Sequence, residues 1–185
     1  MRKRMYFLFV CMLVATWGEM KAQNVKAIEG EMRLALTAPL GDYHQDTPAM
    51  GPGLGLELRY NIPSSKWDCG IGLNLTTAIH KYKIEGYTSD QSNRSLNLML
   101  VGDYNFRQGK KVNPYLGCGL GLSFYDTIND VVYESSGTTF GIQPRAGLEL
   151  FHHLRVAATF LISRKGYNNF EFSVGVVFGG RPKKE

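Results

Sequence analysis

The sequence has few of the residues from which disulfide frameworks, metal centres and cofactor sites are built. Only three of its 185 residues are cysteine, and it contains no Cys-x-x-Cys pair, no glycine-rich phosphate loop and no dinucleotide-binding fingerprint. Cys69 and Cys118 fall in predicted strands that are not neighbours, and neither has histidine partners close by. We therefore expect two free thiols, no disulfide, no metal site and no cofactor.

Long hydrophobic runs are also scarce. The run at residues 5–16 is too short for a membrane-spanning helix. It follows three basic residues at positions 2–4 and precedes a stretch that ends in Ala22. This layout is typical of a secretory signal peptide. We predict that residues 1–22 are the signal peptide and that residues 23–185 form one exported domain; a retained membrane anchor is the alternative.

The surplus of basic residues nearly disappears when the predicted signal peptide is left out. Residues 1–22 hold four of the 21 basic residues and one of the 16 acidic residues, so residues 23–185 carry a net charge of +2. Binding to nucleic acid needs a basic face on the folded domain, and so small a surplus does not indicate one. We expect no nucleic-acid partner.

Helical periodicity is absent from the exported part, which instead shows apolar residues with a period of two. Residues 113–125 show it best, because Leu116, Leu120 and Leu122 alternate there with glycines. Successive side chains of a strand point to opposite faces, so this pattern predicts a strand. Glycine on the second face suits the crowded inside of a narrow tube. Seven further blocks repeat the alternation, at residues 28–36, 54–62, 69–79, 96–106, 140–150, 156–162 and 170–178.

No apolar-phase position in these blocks is charged, whereas the opposite phase collects the charged residues. A basic residue that faces lipid at the membrane midplane costs about 2–4 kcal/mol, so the charged phase must face the inside of a barrel. Buried charges need partners of opposite sign. We predict a lumen network of ion pairs formed by Glu31, Arg33, Glu57, Arg59, Arg145, Glu149 and Arg155. Counting residues from the end of the barrel with the short connections and the chain termini places three pairs at about the same height: Arg33 with Glu57, Glu31 with Arg59, and Glu149 with Arg155. A soluble barrel with solvated charges is the alternative.

The connections between blocks differ in length. Those at residues 63–67, 107–112 and 151–154 are short; those at 39–50, 81–94 and 126–138 are long and mostly polar, and residues 164–169 form a compact fourth. A block of about ten residues, tilted by about 45°, spans a bilayer core. We predict an all-β fold, an eight-stranded antiparallel up-and-down transmembrane β-barrel with short periplasmic turns and longer extracellular loops. Pro144 lies inside a block and lacks an N–H, so we predict a local bulge there.

Three stretches carry a more specific signal: Asn-Pro-Tyr-Leu-Gly-Cys-Gly-Leu-Gly at residues 113–121, Gln-Pro-Arg-Ala-Gly-Leu-Glu at 143–149, and Phe-Glu-Phe-Ser-Val-Gly-Val-Val-Phe at 170–178. They resemble the outer-membrane β-barrel domain family, the porin-like and OmpA- or OmpW-like small barrels of Gram-negative bacteria. The resemblance implies a location in the bacterial outer membrane, in contact with its lipid. It also implies insertion by the barrel-assembly machinery, which reads an aromatic-ended last strand, here Phe178. Such families share an architecture more than an activity.

An eight-stranded lumen is only wide enough for its own side chains, which argues against a general diffusion pore. We expect a non-enzymatic membrane protein whose long loops serve adhesion, envelope integrity or the binding of an unknown extracellular ligand. One alternative is an outer-membrane lipid-modifying enzyme using His80 or His44, with serines at positions 89, 92 and 95 nearby. Another is a soluble periplasmic lipocalin-like carrier. No spacing fixes a nucleophile against a base, so we assign no catalytic residue.

Overall fold

The computed structural model describes residues 25–40, 47–84, 87–129, 135–164 and 167–179. The predicted signal peptide lies outside these ranges. The described chain forms β1 (Ile28–Pro39), β2 (Thr47–Ala49), β3 (Gly51–Asn61), β4 (Trp67–Ile84), β5 (Tyr87–Asn105), β6 (Val112–Asn129), β7 (Ser135–Leu150), β8 (Leu154–Leu161) and β9 (Asn169–Gly179). Within the same ranges, no helix is long and apolar enough to cross a membrane.

All strand pairings are antiparallel, and they close the sheet on itself. Strands β3 to β9 pair consecutively, and β1 pairs with both β3 and β9. Because β2 and β3 both pair with β4, they are two segments of one strand and the barrel has eight strands. The predicted up-and-down barrel is therefore confirmed. Its short turns, at residues 62–66, 106–111 and 151–153, define the short-turn end, where β1 also begins and β9 ends. The opposite end is called the outer end.

The strands are strongly staggered. Following paired residues once around the barrel from Asn105 leads back to β5 at Ser95, ten residues closer to the outer end. For eight strands such a stagger tilts each strand by about 40° to the barrel axis. Residues paired across neighbouring strands therefore lie at different heights, which decides which inward side chains meet.

The barrel is inside out. On β1 the outward Met32, Leu34 and Leu36 are more than half exposed, whereas the alternating Glu31 and Arg33 are buried. Strands β3 and β9 show the same strict alternation. Such an outer surface is stable only against an apolar solvent, because water would penalise so much exposed hydrocarbon. The predicted sorting of the two phases is confirmed.

Aromatic rings lie near both borders of the apolar belt. Toward the short-turn end, the ring of Tyr104 packs edge-on against Trp67 and Phe106, each at a centroid distance of 5.1 Å. Toward the outer end, Phe160 packs against Phe170 at 4.9 Å. Tyr and Trp rings favour the boundary between lipid and water, and girdles of aromatic residues flank the apolar belt of transmembrane barrels, so these contacts fit the two borders of a membrane-spanning belt.

The described strands contain one bulge, and it does not lie at the predicted place. It separates β2 from β3 at Met50, where this strand has one residue more than β4 opposite it. The chain comes very close to β4 beside the bulge: a Cβ atom on Gly51 would lie 2.0 Å from the carbonyl oxygen of Thr77. Only glycine fits there.

Pro144 causes no bulge, so that prediction is wrong. The pairs Arg145–Thr159 and Ile142–Ile162, on either side of it, have the same register. Ile142 exchanges both backbone hydrogen bonds with Ile162, and residues two apart face the same neighbour, so Pro144 turns its nitrogen toward β8. The barrel forgoes one hydrogen bond here. A bulge would have cost more, because a one-residue slip turns every following side chain to the wrong face.

The prediction that residues 81–94 and 126–138 form long loops is also wrong for a large part of both ranges. Strands β4 and β5 stay paired as far as Ile84 and Tyr87, and β6 and β7 stay paired as far as Thr127 and Ser135. A polar sequence does not prevent strand pairing once the barrel below has brought two strands together in register, so composition alone gave the wrong boundary.

Candidate functional site

Nine charged side chains meet inside the barrel, and all nine are buried. We call them the lumen ion network: Glu29, Glu31, Arg33, Glu57, Arg59, Asp103, Arg145, Arg155 and Glu171. The closed barrel brings these side chains together because each of the nine residues lies in the inward phase of its own strand. Four guanidinium groups thus face five carboxylates.

Glu57 is the centre of this network. Its carboxylate accepts hydrogen bonds from Arg33 at 3.0 Å, from Arg59 at 3.1 Å, and from both terminal nitrogens of Arg145 at 2.5 and 2.8 Å. Charge-assisted and bidentate bonds of this kind are the strongest that side chains make. One carboxylate on β3 therefore ties together β1, β3 and β7.

Asp103 extends the network to the strands on the other side of the barrel. It accepts hydrogen bonds from Arg145 at 2.8 and 2.9 Å and from Arg155. The guanidinium of Arg155 also lies 3.6 Å from the ring centre of Tyr115, a cation–π contact. Strands β5, β6, β7 and β8 are linked in this way.

The ion pairs run diagonally across the strands. In the backbone register Glu31 lies opposite Glu57, and Arg33 lies opposite Gly55. The residues expected at the same height are thus offset by two positions in the backbone register. Arg33 nevertheless reaches Glu57, and Arg59 reaches Glu31 at 2.6 Å, since diagonal neighbours remain within reach of long side chains. Glu31 and Glu57, whose residues lie opposite each other, are each compensated by arginines.

Six of the seven predicted network residues take part in these ion pairs. Glu149 lies opposite Arg155 in the register, but no ion pair between described residues includes it. The sequence prediction also left out three participants: Glu29, Asp103 and Glu171. All three occupy the inward phase, which is the signal that could have found them. Which inward charges meet depends on the ten-residue stagger, which the sequence does not show.

Small residues make room for the network. A Cβ atom on Gly117 would lie 1.8 Å from an oxygen of Asp103, and one on Gly55 would lie 2.7 Å from Nε of Arg33. Real Cβ atoms do not come so close to other atoms. The glycine-rich inner face seen in the sequence therefore provides space for large charged neighbours.

Side chains also occupy the lumen nearer the outer end. A buried apolar cluster there consists of Met99, Val101 and Leu161. Above it, Ser123 donates a hydrogen bond to Asn97 at 2.6 Å, and the hydroxyls of Thr76 and Ser95 lie 2.6 Å apart. These four buried polar side chains are thus paired with one another, and protein side chains occupy several successive levels of the tube.

Four strands continue well past the apolar belt. A membrane-crossing strand needs about 9–11 residues, but β4, β5, β6 and β7 have 18, 19, 18 and 16. In contrast, β1, β8 and β9 have 12, 8 and 11. We call the outer parts of β4 to β7, together with β2, the projecting sheet. Because β1, β8 and β9 stop lower down, β2 and β7 form the two edges of the projecting sheet among the described residues.

Strands β4 and β5 carry most of the candidate enzyme residues. His44 lies outside the described residues, and His80 lies in β4 with Pro48 and Gln91 as its backbone partners. Ser95 points into the lumen, where its hydroxyl contacts Thr76. Among the residues described, no group of three His, Cys, Asp or Glu side chains could hold a metal ion.

A closed inside-out barrel with an apolar belt defines the class of membrane-spanning β-barrels, and three solved structures share this architecture. Neisserial surface protein A matches with a TM-score of 0.54 and 17% identity, over 82% of this chain and 96% of that one. OprG from Pseudomonas aeruginosa matches with 0.51 and 15%, over 85% and 99%. Ail, the attachment invasion locus protein of Yersinia pestis, in complex with the heparin analogue sucrose octasulfate, matches with 0.50 and 13%, over 83% and 99%. At these identities the likeness shows the fold alone. No curated protein matches the sequence.

The sequence profile of the outer membrane protein beta-barrel domain matches residues 7–178. The chain belongs to this family, and it is a protein of the bacterial outer membrane. The resemblance and location expected from the sequence are confirmed. The alternative of a soluble periplasmic carrier is wrong, because the hydrophobic side chains lie on the outside of the barrel.

Proposed function

We propose that this protein is a non-enzymatic surface barrel that uses the projecting sheet to bind a ligand outside the cell. The length of β4 to β7 carries the proposal: these strands continue for several residues beyond what membrane crossing requires. Ordered pairing so far from the bilayer does nothing for insertion. It does hold a stiff surface clear of the lipid, and rigid elements present binding groups better than flexible loops.

The side chains inside the barrel support binding rather than transport. The lumen ion network crosses the tube between strands that lie far apart around the barrel, and the apolar cluster lies closer to the outer end. We propose that these side chains close the lumen and brace the barrel from within. Outer-membrane lipid and, during biogenesis, the barrel-assembly machinery are the other proposed partners, with Phe178 near the end of β9 as the aromatic residue that the machinery reads.

The names of two similar structures agree with a surface role, since one is a surface protein and the other an attachment protein. These names describe those proteins. For this chain, attachment rests on the projecting sheet itself.

A hairpin deletion tests the proposal. Residues 80–91 are replaced by Asn-Gly, which favours a two-residue hairpin turn and joins the paired residues Ile79 and Ser92. Bacteria that carry either form on their surface are applied to immobilised matrix proteins and heparin. We expect the complete protein to bind at least one surface and the shortened protein to lose about tenfold in binding. The gel mobility of the unheated protein controls for barrel formation. Equal binding by both forms, or no binding by the complete protein, would contradict the proposal.

A further inference from the structure

The charges outside the lumen are divided unevenly between the two ends of the barrel. The three short turns hold four basic residues and no acidic residue, and Lys26 just before β1 is also basic. The connections toward the outer end hold five basic and seven acidic residues. These connections are residues 39–50, 81–94, 126–138 and 164–169. The small net charge of the sequence therefore conceals a strongly basic short-turn end.

The four basic residues of the short turns lie on two neighbouring turns. We call them the basic rim: Lys66, Arg107, Lys110 and Lys111. The N–H of Asn105 donates to the carbonyl of Lys66 at 2.8 Å, which joins the turn after β3 to the turn after β5. Lys66 is partly exposed and the other three are exposed. Several cations thus share one side of the barrel end.

The acidic residues near this end do not face the basic rim. They occupy the inward phase and are buried in the lumen: Glu29, Asp68 and Glu149. No ion pair between described residues includes Lys66, Arg107 or Lys111. The positive charge of these three side chains is therefore directed at the surroundings of the barrel.

The basic rim lies at the border of the apolar belt. Trp67 and Phe106, each next to a rim residue in the sequence, are 50% and 46% exposed on the outer face. The ring of Tyr104 packs against both, and Nζ of Lys66 lies 5.9 Å from the centre of that ring. Tyr and Trp rings favour the level of the lipid headgroups. The ammonium group of Lys66 therefore lies at the depth where lipid phosphates are found.

Hydrogen bonds hold the turn after β5 in a fixed shape. The N–H of Arg107 donates to the side-chain oxygen of Asn113 at 3.0 Å, and the N–H of Lys110 donates to the carbonyl of Arg107 at 3.1 Å. The N–H of Phe106 donates to the carbonyl of Pro114 at 2.9 Å. A binding surface whose backbone is already ordered loses less entropy when a ligand binds.

We infer that the basic rim binds the phosphate groups of anionic phospholipids in the inner leaflet of the outer membrane. The short turns of such barrels face the periplasm, so the headgroups at this level belong to the inner leaflet. Clustered Lys and Arg side chains attract lipids with a net negative charge, and a guanidinium group such as that of Arg107 can bind two phosphate oxygens at once. The inference rests on the lipid partner proposed above and specifies its class; it does not depend on the projecting sheet.

An acidic protein of the periplasm is the competing occupant. The position of Lys66 favours lipid, because its ammonium group lies over a ring on the lipid-facing side of the barrel. Headgroups surround that side, whereas a soluble protein approaches the end of the barrel.

The test measures which lipid lies beside Trp67, the single tryptophan of residues 23–185. The exported protein is refolded into phosphatidylcholine bilayers that contain increasing amounts of a lipid with brominated acyl chains, either phosphatidylglycerol or phosphatidylcholine. Bromine quenches the fluorescence of a tryptophan that it contacts. We expect phosphatidylglycerol to be enriched at Trp67 by about fivefold, the effect of about one Lys or Arg near an anionic lipid surface. Salt at about 1 M should remove most of this preference.

Three variants isolate the charges of the basic rim. The rim variant carries Lys66→Gln, Arg107→Gln and Lys111→Gln. The charge-retaining variant carries Lys66→Arg, Arg107→Lys and Lys111→Arg. The outer-end control removes the same charge from the opposite parts of β4 and β5 by Lys81→Gln, Lys83→Gln and Arg94→Gln. We expect the rim variant to lose the preference and the other two to keep it. The gel mobility of the unheated proteins controls for barrel formation.

Equal quenching of the parent protein by the two lipids, an unchanged preference in the rim variant, or the same loss in the outer-end control would overturn the inference. If the rim variant does not form the barrel, Arg107→Gln alone replaces it. Binding of soluble polyglutamate to the reconstituted parent without any lipid preference would assign the basic rim to an acidic protein and would also overturn the inference. If the lipid preference is absent while the hairpin deletion still abolishes cell attachment, lipid binding by the basic rim is wrong and the proposed surface function stands.

Discussion

Removing the charge of Glu57 should destabilise the barrel more than any comparable change in the lumen. Glu57→Gln keeps the size of the side chain but leaves Arg33, Arg59 and Arg145 without the carboxylate that they share. Removing one partner of a buried ion pair costs about 3–5 kcal/mol because the other charge stays buried without compensation. Three arginines lose a partner here, so we expect a loss near the upper end of that range in the free energy of unfolding.

The assay is urea unfolding of the refolded protein in lipid vesicles, followed by the fluorescence of Trp67, which is half exposed near the short-turn end. Glu149→Gln is the matched control, because Glu149 is equally buried but makes no ion pair with a described residue. We expect it to change the free energy of unfolding by less than about 1 kcal/mol, since no pair is broken.

A double-mutant cycle checks the direct coupling. Arg145→Met removes the guanidinium that binds Glu57 in two places. Because this change removes one of the charges that Glu57→Gln leaves unpaired, the double variant should be more stable than the sum of the single effects predicts, by about 2 kcal/mol. Strict additivity, or a loss below about 1 kcal/mol for Glu57→Gln alone, would refute the idea that Glu57 holds the network together.

Further outcomes follow from the packed lumen and the inside-out surface. In planar bilayers we expect no steady current, because side chains fill an eight-stranded lumen; a large constant conductance would show an open passage. Gly117→Ala should lower the free energy of unfolding by about 2 kcal/mol or more, since its Cβ would overlap Asp103, whereas the outward Gly102→Ala, whose nearest atom is 3.7 Å away, should be nearly neutral. Equal losses in urea unfolding would contradict the crowding. Cys69 and Cys118 are free and exposed on the outer face, so in vesicles a lipid-soluble maleimide should label both and a charged one neither; fast labelling by the charged reagent would place these thiols in water.

The sequence by itself determined the direction in which each side chain points. A strand has a period of two, so the alternation of leucine with glycine or charge fixed both the strands and their two faces. The cost of placing arginines such as Arg33 and Arg145 against lipid then decided which face is outside. Eight strands, an apolar outer face and a charged lumen follow from these local rules, which is why they could be read without a structure; the outer-membrane location was implied by the family resemblance.

Only the tertiary structure decided which inward charges meet. Contact across the lumen depends on the stagger of the closed sheet, a property of all eight strands together, and so Asp103 and Glu171 join the network while Glu149 makes no ion pair with a described residue. Closure also set where pairing ends. Strands β4 to β7 continue into the projecting sheet because neighbours already in register extend the ladder through polar sequence, while β8 stops at Leu161. The alternation within a strand cannot predict these features, since each depends on pairing between strands that are distant in the chain or on closure of the whole barrel.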